Sequence, residues 1–154
     1  MEQNLALKHA ELTARIIGIF YDVYNELGYG FLESVYQEAL VVALSEAGFT
    51  VDRQVPLPVW FRGRKVGDFR ADLLIEGKVL LELKSARTLE SSHEAQLLHY
   101  LKSTVIEIGL LLNFGAKPQF RRLLFDNERK KIRGNPCESV AEGLGVSAAN
   151  EVLA

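Results

Sequence analysis

The chain has 154 residues, enough for one domain with a single sizeable core, and its composition is ordinary for a globular protein at 48% hydrophobic and 25% charged. A net charge of −2 excludes nucleic-acid binding by bulk charge, so an anionic partner must be drawn by a local cluster of Lys and Arg. The lone Cys137 excludes an internal disulfide and a cysteine zinc site, charges interrupt every apolar run near the start as they do not in a signal peptide, and no stretch nears the roughly 20 apolar residues that span a bilayer, so a cytoplasmic protein without a membrane partner is expected.

Residues 10 to 27 place Leu12, Ile16, Phe20, Val23, Tyr24 and Leu27 at helical spacing, with Gly28 as the stop. A short "GYG" turn leads to a second helix over 32 to 47, ended by Gly48. The period then changes. Residues 50 to 84 are rich in Val, Leu and aromatics and broken by Pro and Gly, the pattern of three or four antiparallel strands. Residues 90 to 104 return to helix. "EIGLLLNFG" is a continuous apolar run, expected as a strand buried on both faces, and "PQFRRLLF" as one more strand. Counting four strands before the third helix, the expected order is α-α-β-β-β-β-α-β-β: an α/β fold with a mixed β-sheet flanked by helices. Residues 1 to 125 form the expected domain. From Asp126 the pattern is lost, and 126 to 154 is expected to be a mobile tail with a short helix near Val140.

The hairpin "RADLLIEGKVLLELKS" carries charge inside an apolar frame. Strand side chains alternate, so Glu82 and Lys84 share a face, with Leu81 and Leu83 opposite. A three-residue loop at 76 to 78 sets Asp72 across from Glu82 and makes the three charges converge. A two-residue Glu76-Gly77 turn instead opposes Asp72 to Leu81 and separates them. Opposed carboxylates repel unless a cation lies between them, and oxygen ligands of this kind suit Mg²⁺ or Mn²⁺, with the Leu83 carbonyl as a third oxygen. Lys84 alongside suits holding a water or offsetting phosphoryl charge. The same residues also fit a solvated strand end.

Two features outside the hairpin bear on that choice. Glu33 starts the inward stripe of Tyr36, Leu40 and Leu44, where a charge needs a partner unless it only complements the helix dipole. His93, Gln96 and Tyr100 lie within about 60° of one another on the third helix, a polar strip beside the Leu97–Leu101 edge.

The motifs resemble a known family. "GFLESVY" (30 to 36) matches the GxxExxY signature of a group of small bacterial proteins, and "GDFRADLLIEGKVLLELKS", "HEAQLLHYLK" and "IGLLLNFG" follow in that group's order, over residues 10 to 125. That group is similar to the PD-(D/E)xK nuclease superfamily, with its restriction-endonuclease-like fold. The resemblance implies Asp72, Glu82 and Lys84 as the catalytic triad, and Glu33 as the helix glutamate that completes the metal site. Gln96 and Tyr100 match the QxxxY element of RecB-like branches. Ala71 stands where the motif has Pro, the member without chemistry.

The function expected is Mg²⁺-dependent hydrolysis of a phosphodiester, most readily in DNA. Glu33, Asp72, Glu82 and the Leu83 carbonyl would ligate metal, and Lys84 would position water. Gln96, Tyr100, His93 and Arg70 would contact substrate or order the site. Arg62, Arg64, Lys65, Arg87, Arg121, Arg122 and the 129 to 133 run are candidate phosphate contacts or solvated faces. Trp60 and Phe61 offer stacking, dimer contacts or core packing. Two readings compete: a binding or complex-forming module on a nuclease fold, and a non-enzymatic oligomerising domain. A homodimer stays open. DNA versus RNA and endo- versus exonuclease action are beyond the sequence.

Overall fold

The computed structural model describes residues 9 to 130. Its elements are α1 (Ala10–Leu27), α2 (Glu33–Glu46), β1 (Val51–Phe61), β2 (Arg64–Ile75), β3 (Val79–Lys84), α3 (Ser91–Ser103), β4 (Ile108–Phe114) and β5 (Pro118–Leu124), followed by a 3₁₀ turn at Asn127–Arg129. The strands make one sheet in the order β1-β2-β3-β4-β5, antiparallel except for the parallel β3–β4 pair. Parallel pairing needs a crossover, and α3 supplies it.

The restriction-endonuclease-like mixed sheet flanked by helices is therefore present, with one correction to the expected order. Three strands precede α3, not four. Gly67 lies inside β2 opposite Val59, so Arg64 to Ile75 is one strand.

Each face of the sheet buries its own cluster. Leu73, Ile75, Val79, Leu81, Leu83, Ile108, Leu110, Leu112 and Phe114 pack under α1 and α2 against Ile16, Phe20, Tyr36, Leu40 and Leu44. Leu57, Ala71, Leu74, Leu80 and Leu111 pack under α3 against Leu97 and Leu101. Every residue of β4 is buried, as a central strand covered on both faces must be. Gly109 sits directly beneath Leu97, where an added Cβ would lie 3.0 Å from Leu97 Cδ1, so a missing side chain lets α3 approach the sheet.

Past β5 the chain stays tied to the body. Phe125 N donates to Glu107 O (2.8 Å), and Lys130 Nζ donates to Ile106 O (2.8 Å). The rest of the expected tail lies outside the described residues, including the helix near Val140, Cys137, Lys131 and Arg133. Among the described residues no helix is long and apolar enough to cross a membrane.

Candidate active site

The position of the charges follows from the turn between β2 and β3. Glu76 and Gly77 both have positive φ, 55° and 64°, and Lys78 N donates to Ile75 O (2.9 Å). Glu76 is anchored at both ends: its backbone N donates to Thr50 O (2.9 Å), and its Oε2 accepts from Thr50 N (2.5 Å). The resulting register is Ile75↔Val79, Leu74↔Leu80 and Leu73↔Leu81. That is the three-residue loop, and one further step along both strands sets Asp72 across from Glu82.

Asp72 sits where the regular ladder stops. The β2–β3 pairing ends at Leu73, and on the other side the β1–β2 register passes from Arg53↔Leu73 to Val55↔Ala71. Gln54, the residue skipped there, has φ +48°. A non-glycine residue in that region costs on the order of 1 kcal/mol. The faces also turn over at this point: Leu73 belongs to the α1–α2 cluster, whereas Ala71 and Leu74 both belong to the α3 cluster. Freed from the ladder, the Asp72 carboxylate takes its place, accepting from Leu83 N at 2.9 Å.

Glu82 and Lys84 point to the α3 face, opposite the buried Leu81 and Leu83. Burial pushes the Glu82 carboxyl up to about 9, assisted by the charge of Asp72 and a side-chain hydrogen bond with it; Lys84 opposes the shift and Glu33 adds to it. The two carboxyls of the hairpin thus lie side by side, with Glu33 and Lys84 close enough to act on Glu82.

Glu33 reaches the same place from α2. Its Oε2 accepts from Ser85 N at 3.1 Å, just past the end of β3. The spacing of the GxxExxY stretch has a structural reason. The Tyr36 hydroxyl accepts from Phe31 N (3.2 Å) and donates to Gly28 O, closing the loop that delivers Glu33. Its ring stacks on Phe114 at 4.3 Å.

From the other side α3 contributes Gln96 and Tyr100. Gln96 Nε2 donates to the Tyr100 hydroxyl (2.9 Å), and the Tyr100 ring stacks on Phe69 of β2. Burial pushes the Tyr100 phenol up, the Gln96 bond opposes this, and the Glu82 charge adds to it. Gln96 and Tyr100 also line an open groove with Ser92, His93, Ala95 and His99.

Asp72, Glu82, Lys84, Glu33 and Tyr100 are therefore brought together, with Gln96 joined through Tyr100. His93 and Arg70 are placed differently. His93 Nδ1 accepts from Glu90 N (3.1 Å), a capping interaction at the start of α3. Arg70 is exposed and donates to Gln54 O (3.2 Å), on the strand that flanks Asp72.

One structural residue escaped the sequence reading. Asn113 of β4, opposite Lys84, is fully buried. Its Oδ1 accepts from Ala86 N and its Nδ2 donates to Ala86 O, both at 2.9 Å. The amide thus stands in for a neighbouring strand and fixes the chain just after Lys84. The signal was present: one polar residue in the run "IGLLLNFG" needs a buried partner.

The oxygens on hand suit a hard cation that keeps part of its water shell. Among the described residues no three His, Cys, Asp or Glu come together as a group that could hold a metal ion, so side chains alone supply at most the Asp72–Glu82 pair. Two touching carboxyls are what Mg²⁺ uses, filling its other positions with water and substrate. In extended backbone one residue's amide and carbonyl leave toward the same side, so the Leu83 carbonyl lies on the Asp72 side, beyond the last β2–β3 pair.

Comparison with known proteins agrees with this frame. No curated protein matches the chain. The crystal structure of SSO0001 is similar at 18% identity and a TM-score of 0.50, covering 80% of this chain and 57% of that one. The chain thus spans little more than half of that protein, and the likeness concerns the fold. A family model described as the PD-(D/E)XK nuclease superfamily matches residues 10–123, a span that runs from α1 into β5 and takes in both the charged hairpin and the helices that face it. The chain belongs to the PD-(D/E)XK nuclease superfamily.

Proposed function

We propose that the chain is a Mg²⁺- or Mn²⁺-dependent nuclease that hydrolyses phosphodiester bonds in DNA. The reading places it in the GxxExxY group and the QxxxY branch, as one domain over residues 1 to 125, acting in the cytoplasm. The observation that carries it is the Asp72–Glu82 carboxyl pair, side by side near Lys84 and Glu33 at a broken point of the sheet. A buried like-charge pair is costly as structure. It is favourable as the two halves of a cation site.

Asp72, Glu82 and the Leu83 carbonyl would hold the ion, with Glu33 completing the set directly or through water. When bound, the ion supplies Lewis-acid stabilisation of the phosphoryl charge and a more acidic water. The Leu83 amide holds Asp72 in one orientation, so the carboxylate needs no reorganisation when the ion arrives. Lys84 shares the Glu82 face and places its ammonium where it can orient the attacking water and offset charge on the phosphoryl oxygens. Tyr100, with its hydroxyl oriented by Gln96, is placed to bond a phosphate oxygen. His93 acts at one remove, by fixing the first turn of α3. Arg70 stands on the solvent side of β2 as a phosphate contact.

Cleavage of labelled DNA and RNA with Mg²⁺, Mn²⁺ or EDTA tests the reading. Metal-dependent cleavage that falls at least about 10³-fold in Asp72→Ala and Lys84→Ala supports it. Cleavage by either variant at the wild-type rate refutes the site, and absence of cleavage on every substrate favours a binding module.

A further inference from the structure

The β1–β2 hairpin runs well past the sheet. The last pair packed under α3 is Leu57↔Phe69, and pairing continues outward to Phe61↔Arg64. Arg62 and Gly63 form the tip, both with positive φ (51° and 75°), as a two-residue primed turn requires. Every residue from Phe61 to Asp68 is exposed. Four to five residue pairs at about 3.3 Å each give an arm of roughly 15 Å.

The arm has an unusual surface. Phe61 and Val66 are 57% and 61% exposed. Arg62 lies over the Phe61 ring at 5.0 Å, so cation and aromatic share one tip. Arg62, Arg64 and Lys65 stand against the single acid Asp68, which pairs with Lys65 (3.0 Å), in a chain of net charge −2. Four other basic candidates are engaged within the fold, Arg121 by Glu94, Arg122 by Thr13, Arg129 over Phe125 and Lys130 by Ile106 O, while Arg87 stands exposed just after β3. The arm also carries the buried Trp60 Nε1 without a hydrogen-bond partner. From Phe61 to Asp68, where every residue is exposed, nothing in this composition serves a core.

We infer that the β1–β2 arm is a docking element for duplex DNA, with Arg62, Arg64 and Lys65 on the phosphates and Phe61 and Val66 against the groove. A two-stranded ribbon fits a groove of the duplex, and apolar tips beside cations suit contact with base and sugar edges. β2 joins the arm to the candidate site. Arg64 and Asp72 are eight residues apart on it, about 26 Å, or roughly eight base pairs of duplex. The arm would therefore hold DNA at a set distance from the carboxyls. The inference rests on the nuclease reading only in taking nucleic acid as the partner.

Fluorescence anisotropy of a labelled 30-base-pair duplex with the full chain in EDTA tests it, since binding is then read without cleavage. The R62A/R64A/K65A variant should bind at least about 10-fold more weakly at 100 mM salt, and its log K against log salt slope should flatten by 2 to 3. Phe61→Ala should weaken binding about 5-fold with the slope unchanged. Melting temperatures should match the wild type. Unchanged affinity and slope overturn the proposal. So does stronger arm-dependent binding to single strands, or variants that dissociate a dimer while holding duplex normally. A wild type that binds through the arm but does not cut in Mg²⁺ sinks the nuclease reading and leaves the arm standing.

Discussion

Glu82 is the residue at which stability and function pull in opposite directions. Its carboxyl titrates near 4.5 in the unfolded chain and about 9 in the folded one, chiefly through burial and then through Asp72. Between those values the folded state binds the extra proton. Its stabilisation is complete below about pH 4.5 and is lost as pH rises toward 9. Metal-free protein should therefore melt lower at pH 8 than at pH 5.5. Glu82→Gln should remove most of that slope and raise Tm at pH 8 by about 3–6 °C in EDTA, while abolishing cleavage. Thermal melts across pH 5 to 9 measure it; a variant that melts lower than wild type at pH 8 contradicts the assignment. Asn113 has the opposite character. Asn113→Ala leaves the amide and carbonyl of Ala86 without their partners and should cost about 2–4 kcal/mol in a denaturant titration. Asp72, Glu82 and Lys84 were singled out by their spacing on the hairpin together with the family resemblance. The raised Glu82 carboxyl was not legible there, because it depends on burial and register that no local pattern contains.

At the scale of elements, the loop between α1 and α2 and the turn between β2 and β3 do the positioning. Tyr36→Phe keeps the ring on Phe114 but removes the hydroxyl that ties Phe31 N to Gly28 O. It should cost about 1–2 kcal/mol and slow cleavage about 10-fold, with little change in duplex binding, because Glu33 loses its fixed entry. Stability, cleavage and anisotropy measured side by side distinguish this from general unfolding. Gly115→Ala should be more damaging. An added Cβ would lie 2.1 Å from the Ala86 carbonyl oxygen, in the segment that follows Lys84. The helices were legible to within a residue because their apolar stripes and glycine stops are local. The strand count came out one too high because a glycine inside an extended strand, as Gly67 is, carries the same mark as a turn. The hairpin register stayed open between two loops because the deciding contact is remote: Glu76 is held by Thr50, 26 residues earlier.

For the whole molecule, the parallel β3–β4 pair with α3 crossing between them places the carboxyls of the hairpin under Gln96 and Tyr100, while α2 brings Glu33 to the same end of β3. The fold class followed from the change of period along the chain, and the sheet order confirms it. The match over residues 10–123 gives the family, and the proposed site rests on the Asp72 and Glu82 carboxyls lying side by side. The central claim is that this assembly binds a divalent cation and cuts with it. Its most direct test is cleavage of a 30-base-pair duplex by wild type and Asp72→Asn across a Mg²⁺ titration, with Tm followed in parallel. The account predicts that wild type cuts, is silenced by EDTA, and gains several degrees of Tm with saturating Mg²⁺, whereas Asp72→Asn shows neither cleavage nor the gain. Equal cleavage by both proteins, or a wild type that neither binds Mg²⁺ nor cuts, would contradict it.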